Sequence, residues 1–495
     1  MTQEFPILYL ARVLIEAHTP LSIGTGNADG VFDTTLVRDA NDLPAIPATS
    51  LAGVLRGLYT QTFGQNSTHS LFGHSSASGS DNPVAAFSSR VTISWGALLD
   101  SHGRAADGII FETERINSDP IYSSVQRQKD LPVHRNRVRL NHRGTAMDTG
   151  KFDLSILPAG HRFAFELRLW AKVEESKQEW DQLLSLLTHP GFRLGRSTRG
   201  GLGAMHCVTQ YTGRYDLRMP AQVHALGLLG SDPSHTRGLT LTPIQKNMAA
   251  NVTWLEGTLS LSAVGLWRIG QGDLALGNPL KEPDLLPVTE ERVQWVNGQG
   301  EVKPQRDILI PATSLKGVLS HRMSYHARRH AGQWNGPQSH ETPAPEVCAL
   351  FGELKDEPEA RGWAGCLYLD DAYMNPNHEK NTRLMHNSID RFTGGVQQHR
   401  LFDEQNLYLG QFTVRLILDL ARLQKVAAHR QISLHNLQKA FKDTLTDLCE
   451  GRLALGARST SGNGFLQGTF EGSLANPWLI DFSHGSQKSI TTEAA

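Results

Sequence analysis

Two glycine-rich segments hold the residues whose types and spacing could most readily do chemistry. The first is Gly195-Arg196-Ser197-Thr198-Arg199-Gly200-Gly201-Leu202-Gly203. The second is Gly456-Ala457-Arg458-Ser459-Thr460-Ser461-Gly462-Asn463-Gly464. Glycines let backbone N–H groups come close to a phosphate, and arginine adds a charged fork. The candidate contacts are Arg196, Ser197, Arg199, Gly200 and Gly201 in the first segment and Arg458, Ser459 and Gly462 in the second. Neither segment is a Walker A loop, because G-x-x-x-x-G-K-[ST] is absent, and neither opens a helix after a strand as a dinucleotide fingerprint does. The competing reading is a helix C-cap and tight turn.

Residues 127–143, RQKDLPVHRNRVRLNHR, carry Arg127, Lys129, Arg135, Arg137, Arg139 and Arg143 against one Asp130. A salt-bridged face would need more acid, so phosphate contact competes here with a solvated loop. Residues 24–42 form a polar loop with Asp29, Asp33, Asp39 and Asp42. RNA is cut when its own 2′-OH attacks the adjacent phosphate. A carboxylate that holds a divalent ion or takes the proton, set over a phosphate-binding surface, suffices for that. Taken singly, each aspartate equally suits a turn.

These residues must be positioned by a frame, and the frame occurs twice. Ile46–Leu55, IPATSLAGVL, returns as Ile310–Leu319, IPATSLKGVL, with nine of ten positions identical. Upstream of each copy an apolar run ends in IG-x-G, at Ile23–Gly26 and Ile269–Gly272, followed by Arg38-Asp39 and Arg306-Asp307. Downstream come Leu71-Phe72-Gly73 and Leu350-Phe351-Gly352, then Leu140–Gly144 and Ile389–Gly394 with Arg391, then the glycine-rich segments. Repeated landmarks in one order mean two copies of one domain. In the first copy Thr49 or Ser50 can cap a helix whose Leu51, Val54, Leu55 and Leu58 share a face. Its N-terminus makes Ser50 and Arg56 further candidates for phosphate, against the reading of an ordinary core helix.

Each half reads β–α–β–β–α–β with long insertions: an α+β fold of two tandem ferredoxin-like (RRM-like) domains. The expected boundaries are 1–215 for the first domain, 216–250 for a Pro/Gly/Ser-rich linker, 251–475 for the second domain and 476–495 for a solvated tail. There are 48 Lys+Arg against 49 Asp+Glu, so any nucleic-acid footprint must be local. The four cysteines show no C-x-x-C or zinc spacing and read as reduced thiols of a cytoplasmic protein. The N-terminal stretch lacks a basic n-region and a long apolar core, so no signal peptide is expected. No run of about 18 apolar residues suggests a membrane span. The 21 histidines are dispersed and read as surface or RNA-facing residues rather than metal ligands.

Together, the IG-x-G loop, the IPATSL-x-GVL helix, Leu-Phe-Gly, the segment ending in Gly394 and the glycine-rich loops resemble the RAMP superfamily. More narrowly they resemble backbone subunits of type III CRISPR–Cas effector complexes, and the tandem arrangement resembles the fused backbone proteins of the III-D branch. The resemblance implies binding of a CRISPR guide RNA along a filament. It also implies a thumb-like hairpin that displaces target nucleotides, and an aspartate after IG-x-G that cuts complementary target RNA with Mg²⁺ or Mn²⁺. The implied partners are a large subunit, a small subunit and other RAMP subunits, with no membrane.

The family's acidic position falls on Asp33, as catalytic residue and metal ligand. In the longer second loop Asp273 and Asp284 are the candidates, with Glu301 a third. The family's helix carries a lysine and, near its end, an arginine. Copy one has Ala52 and Arg56, and copy two has Lys316 and Ser320, with Arg322 nearby. A first thumb is expected from about residues 101–140, and a second from Met374–His386 or the 272–309 insertion. Two other readings stand beside this one: a structural backbone subunit that never cuts, and a CRISPR-RNA processing nuclease, for which His18 is the early histidine.

Overall fold

A computed structural model describes residues 4–26, 34–74, 86–130, 132–140, 146–172, 176–245, 253–270, 272–277, 279–333, 343–353, 362–374 and 380–479. The chain forms two units. Unit one is Met1–Val252 with Glu291–Pro304, and unit two is Thr253–Glu290 with Gln305–Ala495.

Unit one is built on strand β1 (Ile7–Ala17), ILYLARVLIEA. Its neighbours are β5 (Arg162–Ala171) and β6 (Met205–Asp216), both antiparallel to it. The edges are β2 (Val91–Ile93) beside β5 and the short β7 (Thr240–Leu241) beside β6. Helices α1 (Ala48–Phe63) and α3 (Ser176–Ser185) complete the plan. Side chains alternate along a strand, so the two faces of β1 are separate sets. Ala11, Val13, Ile15 and Ala17 share a core with Leu51, Leu55 and Tyr59 of α1 and Trp180 and Leu183 of α3. Each fully buried leucine there contributes about 1.5–3 kcal/mol.

The other face of β1 explains a departure from the expected linker. Leu8 and Leu10 pack with Tyr215, Leu217, Leu226, Leu229 and Leu239. Residues 216–245 are therefore a cover rather than a linker, with helix α4 (Pro220–Gly227) and strand β7 in place. Their leucines follow no helical or strand period, which hid the role. Arg12 sits on this face, 2% exposed. It donates to Glu166 Oε2 at 2.9 Å and to the carbonyls of Leu229, Gly230 and His235. A buried charge needs such partners.

Before β5 the chain forms helix α2 (Pro120–Asp130) and a hairpin, β3 (His134–Leu140) against β4 (Ala146–Ser155). The hairpin that stands where a first thumb was expected lies further along the chain than 101–140. A second hairpin, β9 (Val293–Val296) with β10 (Gln299–Val302), also belongs to unit one. Val293 N–H donates to Ala159 O, Trp295 Nε1 donates to Gly160 O, and Gly300 N–H donates to Ser101 O.

Unit two repeats the plan. Strand β8 (Trp254–Ala263) lies between β14 (Gln411–Asp419) and β16 (Phe465–Glu471), with β11 (Leu367–Leu369) and β15 (Glu450–Ala454) at the edges. Helices α5 (Ala312–His330) and α6 (Leu434–Cys449) pack against each other over a core with Leu259 and Leu261. On β8, Thr258 and Ser260 are exposed between buried Leu259 and Leu261, so here one sheet face meets solvent. The hairpin β12 (Lys380–His386) with β13 (Phe402–Tyr408) precedes β14, as β3–β4 precedes β5. It stands where a second thumb was expected, is larger than 374–386, and is not drawn from the 272–309 insertion.

In each unit the four principal antiparallel strands run in the ferredoxin-like order: second, third, first, fourth. The fold is α+β with two tandem ferredoxin-like units. The repeated decapeptide enters the first helix of each unit. Pro47 and Pro311 occupy the N-cap positions without side-chain cap bonds, so neither Thr49 nor Ser50 caps. The helix starts two or three residues earlier than a cap at Thr49 or Ser50 would set it, which places Ser50 inside the first turn. In unit two, Asp371 Oδ1 accepts from Ala312 N–H at 2.7 Å. The expected tail starts later than 476, because Leu479 is buried and Trp478 packs on the core. Residues 480–495 lie outside the described residues. No cysteine is bonded to another. Among the described residues no helix is long and apolar enough to cross a membrane.

Arg12→Ala is expected to cost about 3 kcal/mol, the penalty of breaking a buried pair. It should also raise hydrogen exchange across 226–241. Unchanged protection there would show that Arg12 does not hold the cover.

Candidate nucleic-acid interface

In unit one three segments converge. The first is the IG-x-G loop, whose described arms pair: Gly24 bridges Leu36, Thr25 N–H donates to Thr35 O, and Val37 N–H donates to Ile23 O. Asp33, with Asp29, lies outside the described residues. The residue that follows it, Thr34, is buried. Thr34 Oγ1 accepts from Ser155 N–H, and Thr34 O accepts from Ser155 Oγ. Thr25 Oγ1 and Thr35 Oγ1 are 2.9 Å apart.

The second segment is the glycine-rich loop. Gly195 has φ +80°, and a Cβ there would stand 2.2 Å from Ser22 O. Arg196 N–H donates to the same Ser22 O at 2.8 Å, and Gly203 N–H donates to Pro20 O. No side chain fits between these backbones, so the glycine is obligatory. The loop follows a short 3-10 turn, Leu186–Thr188, and is no helix C-cap. Gly200 and Gly201 are buried, and Gly200 N–H is spent on Ser197 O. Their part is to shape the loop. Arg196 is exposed, with its guanidinium alongside Gly24. Arg199 is half-buried.

The third segment is β3. Arg135, Arg137 and Arg139 alternate on one of its faces. Arg137 Nη1 donates to Ser197 Oγ at 2.6 Å, joining the hairpin to the glycine-rich loop. Arg143 lies outside the described residues. The result is a cationic, hydroxyl-rich surface around the loop that carries Asp33. Asp39 instead closes a turn, accepting from Asn41 N–H and Leu43 N–H, and Asp42 pairs with Lys129. Ser50 is half-buried, and Arg56 is exposed on α1 with one nitrogen 3.3 Å from Gly73 O. His18 is exposed at the end of β1.

Unit two builds its loop by the same bonds. Gly456 has φ +101°, and a Cβ there would lie 2.3 Å from Arg268 O. Ala457 N–H donates to Arg268 O, and Gly464 N–H donates to Leu266 O. Position by position, Ala457 stands for Arg196 and Arg458 for Ser197. Arg458 Nε is 2.9 Å from Glu404 Oε1, and its guanidinium lies over Phe402. Ser459 and Gly462 are exposed. Glu404 is fully buried and also takes His386 Nε2 at 2.8 Å and Arg268 at 3.5 Å. Burial pushes its carboxyl up, but hydrogen bonds and charge from Asn406, Arg458 and His386 outweigh this and hold it below the usual range. Glu404, Arg268 and His386 escaped the sequence reading, because nothing in their spacing joins them.

The remaining second-half candidates scatter. Asp273 is exposed and pairs with Arg306 at 2.9 Å. Asp284 and Asp403 brace each other, each carboxylate accepting the other's backbone N–H. Glu301 lies on the hairpin of unit one and accepts from Gln294, so it does not belong to the second loop. Arg322 donates to Asp447 at 2.5 Å, an ion pair between α5 and α6. Lys316 is half-buried on α5. Arg391 is exposed beside the fully exposed Phe392, on a turn where Asp390 Oδ1 accepts from Phe392 N–H.

Fold and site define a tandem ferredoxin-like protein with a cationic loop cluster in each unit. The RAMP superfamily model matches residues 14–206 and 262–467, and the chain belongs to that superfamily. No curated protein matches it. Among solved structures, a chain of the Type III-B Cmr-beta complex in its apo state is similar at 14% identity and a TM-score of 0.29. The match covers 41% of this chain and 97% of that one. A chain of Type III-B Cmr-beta bound to cognate target RNA gives 15% and 0.27, covering 41% and 60%.

Gly195→Ala is expected to destabilise unit one by about 1–3 kcal/mol, since a left-handed position and a carbonyl both resist the methyl. Arg196→Ala should stay within about 0.5 kcal/mol, as an exposed side chain does. Denaturant unfolding compares the two; equal effects would contradict the loop's construction.

Proposed function

We propose that this chain is a tandem backbone subunit of a type III CRISPR ribonucleoprotein, with unit one cutting complementary target RNA. Both units hold guide RNA, and the target pairs with that guide. The large subunit, small subunit and other RAMP subunits of the effector are the remaining partners. The observation that carries this reading is the convergence in unit one of Arg196, the Arg137–Ser197 bond and the loop bearing Asp33, on a RAMP fold.

In the cut, the 2′-oxygen bonds to phosphorus and the bond to the 5′-oxygen breaks, leaving a cyclic phosphate and a 5′-alkoxide that takes a proton from water to become the 5′-hydroxyl. The Asp33 carboxylate takes the 2′ proton. Arg196 and Arg137 offset the phosphate charge. The donors beside the loop are hydroxyls of Thr25 and Thr35, hard oxygens that suit Mg²⁺ or Mn²⁺ when RNA phosphates and water complete the shell. Bound with Asp33, such an ion supplies charge stabilisation at the phosphate.

Unit two favours a different division of labour. Ala457 replaces Arg196, Asp284 is braced by backbone, and Asp273 is paired with Arg306. Asp273 and Asp284 are both exposed on that loop, and Asp273, whose partner is the Arg306 side chain, is the second cleavage candidate. If it is silent, unit two is structural.

Arg196→Ala with Arg199→Ala should weaken RNA association and lower the salt slope by up to about 0.7–0.9 per lost contact. An unchanged slope would remove the loop from the interface.

Asp33→Ala should leave co-purified guide RNA of defined length and abolish one cut in a complementary target. EDTA should stop every cut. Asp273→Ala and Asp284→Ala, run on the same substrate, report on a second cut. Wild-type cutting at every position by Asp33→Ala would leave the non-cutting backbone reading.

A further inference from the structure

The interface between α5 and α6 in unit two holds a cluster that RNA binding does not use. His326 and His330 are one turn apart on α5, and Asp443 and Asp447 are one turn apart on α6, so each pair shares a stripe. His326 is 3% exposed. Its Nε2 lies 2.7 Å from Asp447 Oδ2. Its Nδ1, also buried, has no hydrogen-bond partner and stands 3.8 Å from Asp443 Oδ2. His330 Nε2 lies 2.7 Å from that same Asp443 oxygen. One ligating atom each from His326, His330 and Asp443 fall within 4.8 Å of one another.

An ion-pair network alone accounts for Asp447, which also receives Arg322 and Arg452, and for Arg329 on Asp443. It does not account for the second nitrogen of a buried imidazole directed at two further ligands. A histidine with a carboxylate behind one nitrogen and ligands in front of the other is the arrangement of a metal-binding imidazole. Zinc takes histidine as the neutral imidazole, so binding at such a cluster displaces protons. Two imidazoles and a carboxylate suit a borderline ion, zinc before magnesium.

We propose that His326, His330 and Asp443 bind Zn²⁺, with Asp447 as the positioning residue of His326, and that the ion clips α5 to α6. A water fills the fourth position, and Arg329, 41% exposed, swings off Asp443 to admit the ion. This site is independent of the cleavage reading.

The test uses the tag-free full chain, stripped with EDTA and titrated with ZnCl₂, with bound metal counted by mass spectrometry. Wild type should hold one Zn²⁺ more than the His330→Ala and Asp443→Asn variants, and Zn²⁺ should raise its melting temperature but not theirs. Asp447→Asn should weaken binding about 10–100-fold. His321→Ala, an exposed histidine on the same helix, should bind as wild type. Co²⁺ should give a visible ligand-field band in wild type alone among wild type and the two ligand variants. Equal metal content in wild type and both variants, or no uptake by wild type, would leave the cluster an ion-pair network and overturn the proposal.

Discussion

In each unit the backbone of the last loop rests directly on the backbone that leaves the first strand. Gly195 presses on Ser22 O and Gly456 on Arg268 O, each at positive φ, and the next residue's N–H closes the contact. The candidate loop residues of each unit hang from that contact. It sets where the following arginine or serine points, and it holds the glycine-rich loop beside IG-x-G. A side chain larger than hydrogen would push the two backbones apart and separate the cationic loop from the loop that carries Asp33.

The same contact shows how one frame supports two chemistries. In unit one the residue after the glycine is Arg196, exposed beside Gly24. In unit two that place is taken by Ala457, and the charge moves one residue on, to Arg458. There it meets Glu404, a buried carboxylate that would be costly without partners. Arg458, His386 and Arg268 gather on it. Unit two thus gathers its cations on a buried carboxylate between hairpin and loop, whereas in unit one the Arg137–Ser197 bond joins hairpin to loop and Arg196 is exposed to solvent.

The parts of this legible in the sequence are those governed by local rules. The decapeptide, the two glycine-rich loops and the apolar periods of β1, α1 and α6 are short-range patterns, and they place the ferredoxin-like order correctly. Thr258 and Ser260 leave one face of β8 open, whereas β1, ILYLARVLIEA, is covered on both faces despite carrying Arg12 and Glu16. What covers it was not legible, because Leu217, Leu226, Leu229 and Leu239 lack a period. Nor was the assignment of Glu291–Pro304 to unit one, which depends on bonds to Ser101, Ala159 and Gly160 far back in the chain. Arg322 looked like an RNA contact because its partner Asp447 is 125 residues away. Long-range partners leave no spacing to read.

The α5–α6 interface carries this point into energetics. Its apolar stripe, with Leu315, Leu319, Phe441 and Leu445, is ordinary core. Its outer end is held by charge. Burial pushes the Asp447 carboxyl up, but Arg452, His326 and Arg322 outweigh this and hold it at about 2. A depressed carboxyl contributes stability above its unfolded value and loses it as pH falls through the folded one, so near neutrality Asp447 is fully ionised and its contribution complete. Arg452, one of its partners, lies on β15, the strand that runs into the second glycine-rich loop. The carboxylate that orients His326 therefore also holds Arg452 of β15, the strand that continues directly from α6 toward Gly456.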